Sequence, residues 1–280
     1  MTAPATAPVA EGPGALARRE NLVHRRAERW RPPHLARPRS AAGRLAFAAR
    51  LFLDLQVGSI WRDLRGELAR PHGTVLDVGC GAQPFRPLVH VGDRYVGIDI
   101  AESEDQFGYH VPDAIYYTGD RWPVDDGVVD LVLCTETLEH VREPARFLQE
   151  AARVARPGAR LLLTVPFAAR WHFIPHDYWR YTPASLDMLL RGHGFTDVAV
   201  YARGNAVTVA CYKAMALILP LLVPDSRGAK ALLQRVAGLL LSPILGACAL
   251  AGNASLRGRG GVDCLGFTVT ATRCTEAAVP

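Results

Sequence analysis

The stretch Val75-Leu-Asp-Val-Gly-Cys-Gly81 decides how this chain is read. An apolar run of β-formers ends in a carboxylate and passes into a Gly-x-Gly turn. Parallel strands deliver an acidic side chain and bare backbone to a nucleoside in this way. Gly79 and Gly81 carry no Cβ to hold a ligand off the main chain. A second acidic strand end, Val96-Gly-Ile-Asp99, puts Asp99 22 residues after Asp77. A carboxylate there can accept from both ribose hydroxyls. A dinucleotide turn calls for a third glycine beside the pyrophosphate. Ala82-Gln83-Pro84 stand at that point, so the expected ligand is a nucleoside without phosphates.

Outward from this turn, strand and helix patterns alternate. Strands are expected over residues 74–78, 95–100, 114–118, 129–134, 159–165, 196–203 and 264–273. Residues 129–134 are uniformly apolar, as a central parallel strand is. One or two helices are expected over 44–68, where Leu45, Phe47, Leu51, Leu55, Ile60 and Leu64 recur at helical spacing. Further helices are expected over 84–89, 143–154 and 183–191. Pro144 and Pro183 open two of them. Arg156-Pro-Gly158 ends one, and Gly192 and Gly194 end the other. Helix-separated strands with a late pair fit an α/β, doubly wound sheet with an antiparallel edge hairpin.

With 280 residues the chain has material for one main core with additions. Its 49% apolar and 21% charged content suits a soluble enzyme. The net charge of +5 is local. Residues 1–44 hold nine arginines against three glutamates, whereas the remainder holds 23 basic and 24 acidic residues. A near-neutral core argues against a nucleic-acid partner. The arm over 1–44 is expected to be a solvated, disordered tail, with contact to an anionic membrane or an acidic partner as the other reading. The six cysteines are scattered without a Cys-x-x-Cys pair, which points to a reducing, cytoplasmic compartment and away from a disulfide framework or zinc knuckle. The N-terminus lacks the continuous apolar core of a signal peptide.

Between the last two strands lie two strongly apolar segments, 206–223 and 229–251. Residues 236–256 carry no formal charge and approach membrane-spanning length, but Gly238, Pro243, Gly246 and Gly252 interrupt them. The expected organisation is a core over 45–204, a helical insertion over 205–260 and a last strand with a tail over 261–280. The insertion is expected to be a lid, a dimer interface or, through 206–251, a peripheral membrane contact.

The chemistry-bearing residues gather at strand ends. Gly119-Asp120-Arg121-Trp122 ends the third strand, where Asp120 can accept from an adenine amine; capping the turn is its plain alternative. His140 follows the fourth strand at the carboxyl edge, where open α/β sheets bind ligands. Trp171-His-Phe-Ile-Pro-His-Asp-Tyr-Trp-Arg-Tyr-Thr182 directly follows the fifth strand. Two His, one Asp, two Tyr, two Trp and one Arg in one loop suggest a substrate-facing wall. His140 is one candidate base, and His176 with Asp177 as its orienting carboxylate is another. Each can equally be a hydrogen-bonding residue of its loop. His172, Tyr178, Arg180 and Tyr181 are expected to face the substrate, with Arg180 clamping an anionic group or pairing with an acidic residue. A metal on His172, His176 and Asp177 is a further reading. Pro175 breaks the helix that their spacing requires, so no metal is expected.

Val75–Gly81, Val96–Asp99, Gly119–Pro123, Val129–Val141 and Arg156-Pro-Gly158 together resemble the class I S-adenosylmethionine-dependent methyltransferases, with a methyltransferase domain of the type 11 kind. The likeness runs over roughly residues 72–200. It implies a Rossmann-like, seven-stranded sheet whose last strand inserts antiparallel, with S-adenosyl-L-methionine as cofactor. By the family pattern Gly79 and Gly81 approach the methionine moiety after Asp77, Asp99 holds the ribose, and Asp120 with Arg121 flanks the adenine. Thr135 and Glu136 lie beside the sulfonium. Gln83 departs from the glycine many members carry and leaves the path of the loop open. The Trp171–Thr182 string also resembles a subgroup of bacterial methyltransferases from polysaccharide and natural-product gene neighbourhoods.

The resulting expectation is in-line methyl transfer to an oxygen of a small molecule or glycan, with a His/Asp base. The apolar insertion points to an amphipathic, lipid-linked acceptor. Two rivals remain: a nicotinamide-dependent oxidoreductase on a related sheet, and a non-catalytic scaffold.

Overall fold

Seven strands form one sheet: β1 (Thr74–Val78), β2 (Arg94–Ile100), β3 (Ala114–Tyr117), β4 (Val129–Thr135), β5 (Ala155–Pro166), β6 (Phe195–Arg203) and β7 (Gly266–Arg273). The computed structural model describes residues 22, 25–28 and 35–275. Most of the arginine-rich arm expected over 1–44 lies outside them. The strand order is β3-β2-β1-β4-β5-β7-β6. β1 to β5 pair in parallel, and β7 runs antiparallel to both β5 and β6. The late pair is antiparallel and lies at the sheet edge as expected, with β7 inserted between β5 and β6 rather than outermost. β7 carries Phe267, Val269 and Ala271, all buried, and needs a strand on either side. β6, half-buried along its middle, takes the edge.

The two sides of each strand serve different helices, as the period of two requires. Ile60, Leu64 and Leu68 of α2 (Leu55–Leu68) meet Val75, Leu131, Leu133 and Leu162. The intervening Leu76, Val132, Cys134, Leu161 and Leu163 meet α4 (Pro144–Val154) and α5 (Pro183–Gly192) through Phe147, Leu148, Ala151, Leu186 and Leu190. Asp54 separates α1 (Ala41–Leu53) from α2: it accepts from the Val57 amide as N-cap and from Arg50.

Three local departures have simple causes. Arg156-Pro-Gly158 does not precede β5 but lies inside it. The β4 ladder jumps there from Val129↔Ala155 to Leu131↔Arg160, and Gly158 sits at φ +81°. A bulge tolerates both residues because neither must donate to the ladder. The helix expected over 84–89 is a single 3-10 turn, Arg86–Leu88. α3 (Ser103–Phe107) is one turn long and closed by Gly108 at φ +76°, too short to show a period.

The apolar insertion is a helical hairpin, α6 (Ala206–Leu222) and α7 (Ala229–Ser255). Its inner side is part of the core, since Met215, Ile218, Leu245 and Ala249 close on Leu55 and Leu265. Its outer side leaves Leu217, Leu232, Leu233, Leu239, Leu240, Ile244 and Leu250 exposed. By length and composition alone, α7 is apolar enough to cross a membrane.

Gly238 and Gly246 of α7 make a paired test. A Cβ on Gly238 would lie 2.9 Å from the Leu222 nitrogen, whereas one on Gly246 would meet nothing within 4 Å. Gly238→Ala is expected to destabilise the chain by about 1–3 kcal/mol as the two helices part. Gly246→Ala is expected to stabilise it by about 0.5–1 kcal/mol through helix propensity. Urea unfolding of the two variants reads both signs.

Candidate active site

The turn after β1 is stitched to β2. The Gly79 and Cys80 amides both donate to the Ile98 carbonyl, at 2.9 and 3.2 Å. The Gly81 amide donates to Asp99 Oδ2 at 2.9 Å. Gly79 adopts φ +69°, and a Cβ there would lie 2.3 Å from Thr137 Cγ2. Gly81 adopts φ +50°, with its nearest neighbour, the Tyr109 ring, 3.8 Å from where a Cβ would stand. Glycine is required at Gly79 by contact and conformation, and favoured at Gly81 by conformation with room to spare.

Asp99 is buried and its other oxygen accepts from the Ile100 amide at 2.8 Å. Burial raises its pKa, against the two amide hydrogen bonds that lower it. Asp77 is buried too. Its Oδ2 accepts from the Tyr95 hydroxyl at 2.7 Å, and its Oδ1 has no hydrogen-bond partner. Burial is the main reason its carboxyl is pushed up to about 7; Tyr95 opposes the shift and Asp99 adds to it.

Asp120 and Arg121 stand in solvent. Asp120 accepts from Arg146 at 2.6 Å, and Arg121 meets Asp126 at 3.2 Å. The structure thus places these two in surface ion pairs beyond β3. Thr135 ends β4, and its carbonyl accepts from the Thr137 hydroxyl at 3.1 Å. Glu136 follows at φ +49° and donates its amide to the Thr164 carbonyl at 3.0 Å. Its Oε1 accepts from Arg203 at 2.7 Å. Arg203 is itself buried and reaches the Val165 carbonyl and Ser59 as well. No sequence signal beyond a lone arginine at a strand end marked it.

The Trp171–Thr182 loop locks onto the 3-10 turn Leu138–His140. The Tyr178 and Trp179 amides donate to the Glu139 carbonyl at 2.9 and 3.2 Å. The buried Tyr181 hydroxyl donates to the Leu138 carbonyl at 3.2 Å, so Tyr181 packs rather than facing a substrate. Tyr178 is exposed, and its hydroxyl accepts from Arg142 at 2.9 Å.

The expected pairing of His176 with Asp177 is not what the fold makes. Asp177 Oδ2 lies 2.9 Å from His172 Nδ1 and accepts from the His172 amide at 3.0 Å. Both Asp177 oxygens also hold Arg180, at 2.6 and 2.8 Å. Burial would raise the Asp177 carboxyl, but the Arg180 and His172 hydrogen bonds hold it below the usual carboxylate range. Such a group is a poor proton acceptor and a good strut. Arg180 is consumed by the same pair and is no clamp for a substrate anion. The partner of Asp177 lies four residues before the one expected, and the Pro175 turn between His172 and Asp177 brings it there.

His140 is boxed in by the rings of Phe107, His172 and Phe173, at 5.3, 5.0 and 5.5 Å. Its Nδ1 lies 2.7 Å from the His176 carbonyl and its Nε2 3.7 Å from Glu139 Oε1. Burial, with His172 beside it, lowers its pKa to about 4. The His176 ring packs edge-on against Phe107 at 6.0 Å, and burial with Arg142 lowers its pKa. Glu139 escaped the sequence reading although it directly precedes His140. It is fully buried, and burial with Glu136 nearby drives its carboxyl well above its ordinary value. Phe173 touches Tyr109, which faces Gly81, so these rings bridge the β1 turn and the histidines.

The first turn suits a nucleoside better than a diphosphate. Its three amides are spent on Ile98 and Asp99, which leaves no nest of free N–H groups for phosphate. Each Asp99 oxygen accepts one amide and keeps a lone pair for a hydroxyl. The turn stands where the strand order reverses between β1 and β4, the place open α/β sheets bind ligands.

Comparison with known proteins agrees. Residues 76–163 match a family described as a methyltransferase domain. The chain is similar to a ubiquinone biosynthesis O-methyltransferase of Hydrogenovibrio crunogenus, 34% identical over 98 residues, which are 30% of this chain and 39% of that protein. It is similar to norajmaline N-methyltransferase of Rauvolfia serpentina, 30% identical over 141 residues, 44% of either chain. A SAM-dependent methyltransferase structure from Archaeoglobus fulgidus aligns over 81% of this chain and 99% of its own, with 16% identity and a TM-score of 0.49. The chain spans 39% and 44% of the length of the two curated relatives. Over residues 76–163 it carries a methyltransferase domain of the S-adenosylmethionine-dependent kind.

The raised Asp77 carboxyl sets a pH dependence. Its ordinary value of 3.8 holds in the unfolded chain and about 7 in the folded one. Between these values the folded chain keeps a proton that the unfolded chain has released, so this residue's contribution falls as pH rises. Asp77→Asn is expected to gain stability relative to the native chain between about pH 4 and about pH 7, by at most about 4 kcal/mol. Chemical denaturation of both chains at the two pH values measures it.

Proposed function

We propose that this chain transfers the methyl group of S-adenosylmethionine to a hydroxyl of a small amphipathic molecule or glycan, at the carboxyl edge of its sheet. The spending of all three β1-turn amides on Ile98 and Asp99 carries the nucleoside part of this reading, and it disfavours a nicotinamide dinucleotide. When bound, the cofactor supplies a methyl already activated on a sulfonium, so the protein's task is placement. Gly79 and Gly81 admit it to the main chain, and Asp99 offers lone pairs to its ribose. The exposed Asp120 remains within this reading as an acceptor from the adenine amine, in competition with Arg146.

A hydroxyl acceptor must lose its proton during or after attack. His176 is the residue assigned to take it. Its lowered pKa keeps the ring neutral near pH 7, and it is half-buried beside Phe107. Asp177 holds His172 and Arg180 and thereby fixes the loop. Oxygen is favoured because the wall offers imidazoles, while the relatives include both O- and N-methyltransferases.

The apolar outer side of α6–α7 supports an acceptor carried on a lipid, met at a membrane surface. Lys213 of α6 donates to the Ala168 carbonyl just before the Trp171 loop, so the hairpin adjoins the site. Leu233 and Leu240 are 71% and 76% exposed, and charges there need disturb no core.

Calorimetry with S-adenosylhomocysteine and with NAD tests the cofactor. Saturable binding of the first alone is expected, lost in Gly79→Val. His176→Ala is expected to lower kcat for a methylated hydroxyl acceptor about 100-fold while leaving homocysteine-nucleoside binding intact. Leu233→Glu with Leu240→Glu is expected to abolish co-sedimentation with anionic vesicles and to spare cofactor binding. Binding of NAD in place of S-adenosylhomocysteine would overturn the reading.

A further inference from the structure

Three potential metal-ligand atoms converge beside the loop. One carboxylate oxygen of Glu139, one ring nitrogen of His140 and one of His172 lie within 4.8 Å of one another. Glu139 is wholly buried, and neither of its oxygens has a hydrogen-bond partner. Leaving a buried carboxylate bare is unfavourable unless a cation or a donor meets it. Arg180 does not serve, because both of its terminal nitrogens are bonded to Asp177.

The histidine tautomers follow from their partners. His140 Nδ1 lies 2.7 Å from the His176 carbonyl, which can only accept, so Nδ1 carries the hydrogen and Nε2 keeps a lone pair. His172 Nδ1 lies 2.9 Å from Asp177 Oδ2 and 3.1 Å from the Arg170 carbonyl, so its Nε2 keeps a lone pair too. Metal-bound histidines are held in this way, with the far ring N–H given to a carbonyl or a carboxylate. Histidine Nε2 and Glu139 Oε1 are 3.7 Å apart at residue 140, too far for a hydrogen bond. Two ligands each about 2.1 Å from one ion stand roughly 3.4 Å apart at a tetrahedral angle. The two rings lie 5.0 Å apart and nearly perpendicular, at 74°.

We propose that Glu139, His140 and His172 bind one divalent transition-metal ion, with Asp177 and the His176 carbonyl as the supports of its two imidazoles. Two neutral nitrogens and one carboxylate oxygen suit zinc, manganese or iron, and three protein ligands leave a position open. Resting on the hydroxyl-methylation reading, the open position would take the acceptor oxygen and ease loss of its proton to His176. The ligand set differs from the His172, His176 and Asp177 trio that the sequence offered: Asp177 lies behind His172, and Glu139 takes its place.

The test uses the full chain stripped with chelator and titrated with zinc by calorimetry and with cobalt(II) by visible absorption. One zinc per chain is expected, along with cobalt d–d bands of low-coordinate intensity. Glu139→Gln, which keeps side-chain shape, and His172→Ala should each weaken zinc binding at least 100-fold. Asp177→Asn should weaken it about 10–100-fold. His90→Ala, outside the cluster, should leave it unchanged. S-adenosylhomocysteine binding by the same samples shows that each variant is folded. Absence of saturable zinc and cobalt binding in a native chain that binds S-adenosylhomocysteine overturns the metal site and leaves the methyltransferase reading standing. Zinc binding unaltered by Glu139→Gln and His172→Ala overturns it as well. Binding of metal without S-adenosylhomocysteine would strike the functional reading alone.

Discussion

The hydrogen bond from the Gly81 amide to Asp99 is the contact on which the rest of the site depends. It closes the first turn against the neighbouring strand and takes up an amide that would otherwise attract an anion. At the same time it aims the Asp99 carboxylate along the sheet edge, with one lone pair left on each oxygen. The Ile98 carbonyl completes the closure by accepting from the two preceding amides. A turn sealed in this way is rigid before any ligand arrives, which limits the ordering that binding must impose.

The same economy governs the opposite wall. The Glu139 main chain receives the loop through two amides, while its side chain points into the histidines with nothing to accept from. One residue thus anchors the loop by its carbonyl and sets a buried, unpartnered carboxyl among the imidazoles. Asp177 acts similarly on the other side, binding His172 and Arg180 at once. The wall is consequently built from paired charges and oriented rings rather than from an apolar pocket.

Most of the sheet was legible because buried parallel strands are written as short apolar runs with acidic ends, as at Asp77 and Asp99. The α6–α7 hairpin was legible from apolar length. What the sequence concealed was pairing across chain distance. The spacing of His176 and Asp177 says that they are neighbours, but adjacent residues in a turn point apart, and Asp177 chose His172 instead. Glu139 drew no notice within Val129–Val141, because burial is a property of what folds over a residue. Arg203 is hidden for the same reason: its partners, Glu136, Val165 and Ser59, come from three separate elements. The order of the last two strands was equally unreadable, since insertion and edge placement leave the same alternation. The resemblance, which carries topology, supplied it.

That insertion has a consequence for how the molecule is assembled. β5 and β6 share no ladder of their own and are joined to each other only through β7. Until residues 266–273 arrive, a nascent chain holds two unpaired strand margins with a gap one strand wide between them. The apolar hairpin emerges just before the piece that fills this gap. During synthesis the inner apolar side of the hairpin and the two strand margins are therefore presented together until β7 closes them, and a stall between α7 and β7 leaves both open.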